Sequence, residues 1–133
     1  MIFNTFGNRE APVIIMLAGS FCPAEGMENL YSELQKQFYV IAPTYNGHYE
    51  GSVDFTTRQG EAAQIKDHLN NEGITSVRMI YGQSMGSEIG IELMRQLNDA
   101  GITVDTAVFD GAPCIKLSKA YKAFMYFKFS TFI

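Results

Sequence analysis

Ser84 stands in Gly82-Gln83-Ser84-Met85-Gly86, a G-x-S-x-G that follows the apolar run Val77 to Tyr81 and precedes a long helical pattern. Glycines on both sides of a serine let the chain turn sharply enough for the hydroxyl to stand clear of the preceding strand. That is the posture of an acyl-transfer nucleophile. A serine hydroxyl is weakly nucleophilic at neutral pH, so it also needs a base, an acid to orient that base, and donors for the oxyanion. The competing reading is an incidental glycine turn. The strand before the motif and the helix after it favour the nucleophile.

Strand-like runs alternate with helical patterns along most of the chain, the mark of a mostly parallel sheet covered by helices on both faces. Val13 to Leu17 is continuously apolar, as in a strand buried on both sides, and Ile2 to Phe6 is a weaker strand before it. Pro23 suits a first helical position, and Met27, Leu30, Tyr31, Leu34 and Phe38 follow at helical spacing, which predicts a helix over 23–37. Phe38 to Ala42 reads as a strand stopped by Pro43. Thr56 and Gln59 suggest a capping box for a helix carrying Ala62, Ile65 and Leu69 and ending at Gly73. After Ser84, the residues Met85, Ile89, Leu93 and Leu97 recur every fourth position up to Gly101, and Thr106 to Phe109 is the last clear strand.

The chain has 133 residues, 47% of them apolar and 18% charged, which suits one globular domain with a single core. Its net charge of -4, with no basic stripe, argues against nucleic acid or an anionic membrane as partner. A small molecule is the expected ligand. Cys22 and Cys114 lack metal-ligand spacing and read as free thiols in a reducing compartment. The first residues lack a basic segment followed by a long apolar one, so the expected location is cytoplasmic. No cofactor and no metal are implied.

With these elements in place, the chain resembles the α/β-hydrolase family from about Ile2 to Ala112. Leu17-Ala18-Gly19-Ser20 looks like the family's loop after its third strand, with Ala18 where a histidine is usual. The resemblance implies an oxyanion hole made by Met85 N–H and Ser20 N–H, with Phe21 N–H as the alternative, and Gly19 and Gln83 beside the substrate. Pro43 to Ser52 resembles the family's Pro-x-x-x-Gly-His-Gly segment, in which the histidine organises a loop, so His48 is a poor base. His68 reads as a helix-packed or solvated side chain. Asp110 lies where some members carry the acid, and a polar residue at a strand end is the bland alternative. Asp99 and Asp105 look like surface charges.

In that family the acid and then the histidine follow the serine, yet no histidine follows Ser84 here. Removing a triad base can lower turnover on the order of 10⁶-fold. The resemblance therefore implies the amino-terminal part of a serine hydrolase over residues 1–115, acting on a small-molecule ester, thioester or amide, and incomplete for want of a base. Residues 116–133 read as the start of a cap-like helix or a swapped tail. A bare sheet edge beside an apolar tail predicts a homo-oligomer, a swapped assembly or a longer protein that supplies the rest. A binding module that keeps the fold without the chemistry is the second reading.

Overall fold

The computed structural model describes residues 1–114 and 116–131. Its strands are β1 (Ile2–Phe6), β2 (Val13–Leu17), β3 (Tyr39–Thr44), β4 (Ser76–Gln83) and β5 (Thr103–Asp110). Its helices are α1 (Glu28–Leu34), α2 (Arg58–Asn71), α3 (Met85–Asp99) and α4 (Lys119–Ser130), with a 3₁₀ turn at Ala24–Met27 before α1. The five strands form one sheet in the order β1-β3-β2-β4-β5. Only β1 runs antiparallel, against β3.

Successive strand side chains point to opposite faces, and the two apolar clusters divide accordingly. Ile15 and Leu17 of β2 pack with Ile65 and Leu69 of α2 and with Ile89, Leu93 and Leu97 of α3. Ile14 and Met16 face the other way, onto Met27 and Tyr31. All five β2 residues are buried, whereas β5 is mostly exposed. The fold is therefore a three-layer α/β sandwich in which the helical layer formed by the 3₁₀ turn and α1 is the thinner one.

Three local expectations shift. The helix over 23–37 is a 3₁₀ turn followed by a shorter α1, because Gly26 interrupts a good helical run and Met27 sits at φ -106°, ψ 15°, outside the helical range. Pro43 does not stop β3. Its place lies beyond the last residue that β3 pairs with β2, Ile41, so the missing N–H leaves no ladder bond unmade on that side. The cap of α2 is Thr57 rather than Thr56: Thr57 Oγ1 accepts from Gly60 N–H at 3.0 Å.

Gly73 and Gly101 stop α2 and α3 with φ of +69° and +73°, as their positions in the pattern predict. α4 is present, and its Tyr121, Phe124, Tyr126 and Phe127 are all exposed. The carboxy-terminal residues Phe132 and Ile133 of the apolar tail lie outside the described residues.

Candidate active site

Ser84 sits between β4 and α3 with φ 48° and ψ -115°, one of two non-glycine residues at positive φ among the described residues. Such a backbone stores strain of about 1–3 kcal/mol and persists only where its surroundings enforce it. Here they do. A Cβ on Gly82 would lie 2.7 Å from Gly86 O, and one on Gly86 would lie 2.2 Å from Leu17 O. Both contacts are with backbone, so neither flanking glycine can be replaced without moving the elbow.

The turn is then tied to its neighbours. Ser84 N–H donates to Asp110 O at 2.8 Å. The buried Ser87 hydroxyl donates to Gly82 O at 2.8 Å and reaches Asp110 O at 3.3 Å. Ser87 is thus a brace of the elbow that the sequence pattern does not single out, since a serine one turn into a helix carries no signature of its own. Ser84 itself is exposed, and its side chain makes no capping bond.

The expected oxyanion loop lies against this corner. A Cβ on Gly19 would sit 3.6 Å from both Ser84 Cβ and Gln83 O, so the loop after β2 passes directly beside Ser84. Gly19 O accepts Cys22 N–H at 3.3 Å, closing a turn over Gly19 to Cys22. The third residue of that turn, Phe21, has φ 60° and is almost fully exposed, at 95%. Neither Ser20 N–H nor Phe21 N–H has a hydrogen-bond acceptor among the described residues. Met85 is the first residue of α3, where helical amides are unsatisfied and the helix dipole favours negative charge. Gln83 is turned to Tyr81, donating from Nε2 to its Oη at 3.0 Å.

The remaining partners do not converge. Asp110 contributes its main chain to the elbow, and its exposed side chain forms no hydrogen bond or ion pair among the described residues. Asp105 pairs with Arg78, and Asp99 with Arg95, both at 3.0 Å, as surface charges do. His48 Nδ1 bonds Asn46 O at 3.0 Å. Its ring packs among Tyr45, Phe55 and Phe21. His68 stacks on Phe3 with ring centroids 3.8 Å apart. These are the two histidines of the chain, and neither is hydrogen-bonded to Ser84 or Asp110. The corner therefore joins an exposed serine to free backbone donors, with neither histidine hydrogen-bonded to that serine.

Solved structures share this fold. An alpha/beta hydrolase family protein from Desulfitobacterium hafniense superposes with a TM-score of 0.84 at 16% identity, over 92% of this chain and 49% of that one. The fold is that of the α/β-hydrolases. Carboxylesterases from Nitrososphaera gargenis and Bacillus subtilis are similar, with TM-scores of 0.75 and 0.70, each at 18% identity. Each covers 93% of this chain, and 46% and 44% of the respective structures. The chain thus spans about half the length of the structures it matches, and carries part of the α/β-hydrolase fold. No family model matches the sequence, and no curated protein matches it significantly.

Proposed function

We propose that the chain carries the nucleophile half of a serine hydrolase acting on a small-molecule ester, thioester or amide. The observation that carries this reading is Ser84: an exposed hydroxyl on a strained backbone, enforced by two glycines that packing does not allow to change. The esterases among the similar structures support the same class.

In this mechanism Ser84 Oγ attacks the acyl carbon, forming the Oγ–C bond as its proton passes to a histidine from outside residues 1–133. Charge that develops on the acyl oxygen is received by Met85 N–H and by Ser20 N–H, or Phe21 N–H, each such donor being worth about 10²- to 10³-fold in rate. The leaving group departs with the proton from that histidine, and water then releases the acyl group. Asp110, next to the elbow at the end of β5, is the candidate to orient the base. A partner chain or a longer polypeptide is required for turnover. The free Ser84 side chain, with no histidine bonded to it, also suits a second reading, a binding module that retains the fold.

Acetyl transfer from p-nitrophenyl acetate, with imidazole as external base, separates the two. The hydrolase reading expects intact mass and peptide mapping to find one acetyl group on Ser84 of the folded chain, formed at least tenfold faster than in urea. Equal rates in the folded and unfolded chain would overturn it and leave the binding module.

A further inference from the structure

Tyr45 follows β3 directly and is fully buried. His48 and Phe55 meet its ring edge-on, with centroids 5.6 Å and 6.5 Å away, so the ring is held on two sides. A buried phenol needs a hydrogen-bond partner, and this one donates from Oη to Ala18 O at 3.0 Å. Burial raises the phenol above its ordinary pKa, and Glu61 and then Cys22 add to the effect, so it stays a neutral donor.

The carbonyl it holds is closely placed. A Cβ on Gly86 would lie 2.5 Å from Ala18 O, so that oxygen is confined between the phenol and the first turn of α3. Fixing it fixes the plane of the peptide between Ala18 and Gly19, since a peptide unit is rigid. The next plane is fixed by the turn bond from Cys22 N–H to Gly19 O. A trans peptide directs its N–H opposite to its carbonyl, so Ser20 N–H points away from the inside of that turn. The plane that carries Ser20 N–H is thereby set, and the plane before it, from which the loop starts, depends on one hydroxyl.

We infer that Tyr45 is a positioning residue for the oxyanion loop: its hydroxyl, through Ala18 O, anchors the start of the loop that carries the Ser20 and Phe21 amides beside Ser84, without touching substrate. The inference rests on the hydrolase reading for its chemical consequence and on the hydrogen bond alone for its structural one. It also accounts for Phe21, a non-glycine residue at positive φ that needs the loop on its amino-terminal side held still.

Tyr45→Phe keeps the ring and its edge contacts and removes only the donor. In the 133-residue chain, ¹⁵N relaxation is expected to show rigid Ser20 and Phe21 amides, with order parameters near ~0.85, falling toward ~0.6 in the variant. Exchange of Cys22 N–H is expected to rise about tenfold, while Ile15 and Ile80 exchange as before. Imidazole-assisted acetylation of Ser84 is expected to slow about tenfold at saturating ester, with the half-saturating ester concentration unchanged. Unchanged loop order, or core amides that accelerate together with Cys22, would overturn the inference. So would a loosened loop with an undiminished acetylation rate. If Ser84 of the unaltered chain takes no acetyl group, the hydrolase reading fails, and the relaxation data still decide whether Tyr45 holds the loop.

Discussion

The Ser84 corner and the β5–α4 margin are built to different standards. At the corner, β2, β4 and α3 approach so closely that backbone atoms leave no room for a Cβ at Gly82 or Gly86, and the strained Ser84 is tied through its N–H to Asp110 O. At the margin, no residue of β5 is fully buried, Val108 is 43% exposed, and Tyr121, Phe124, Tyr126 and Phe127 of α4 are exposed. The difference teaches that the turn at Ser84 is assembled from local and nearest-neighbour contacts.

Equal substitutions in the two regions should therefore have unequal effects. Ile80→Asp places a charge on a fully buried residue of β4 and should cost more than about 4 kcal/mol, or abolish folding, whereas Val108→Asp on β5 should stay within about 0.5 kcal/mol. Urea denaturation of both variants measures the contrast, and equal losses would mean that β5 is covered in solution. Next in size, Gly86→Ala should lose about 3 kcal/mol, because the new methyl meets the carbonyl of Leu17. Gly111→Ala, at φ 65° with open space around it, should lose only about 1 kcal/mol.

Smaller still, removing residues 116–133 should leave the denaturation midpoint almost unmoved, within about 0.5 kcal/mol, and should reduce self-association measured by sedimentation. A large loss of stability would show that α4 packs on the body. The smallest effect belongs to His68. Burial lowers its pKa in the fold, Glu72 opposing and Arg9 adding to this, so the folded state disfavours the protonated ring. Stability should accordingly be level above the ordinary value of 6.5 and decline as pH falls below it. Thermal melts between about pH 7 and 5 should lose that component of slope in His68→Gln.

Much of the corner was legible in the sequence because its causes are short-range. A glycine-flanked serine between an apolar run and a helical pattern needs no distant information, and neither do the stops at Gly73 and Gly101. Alternation of the elements was enough for a mostly parallel sheet. What escaped depends on contacts between residues far apart in sequence. Tyr45 reaches Ala18 only once β3 lies beside β2 in register, and Pro43 is tolerated in β3 only because the pairing with β2 has already ended. Thr57 displaced Thr56 as the cap of α2 through the direction in which the chain enters that helix, which two adjacent threonines do not encode.

One measurement bears most directly on the claim that this chain holds a prepared nucleophile without a base. The turnover of p-nitrophenyl acetate by the chain is compared with that of Ser84→Ala, without imidazole. The account predicts no Ser84-dependent turnover above the variant's background. Turnover of about 1 s⁻¹ or more that disappears in Ser84→Ala would contradict it, since the base would then lie within these residues.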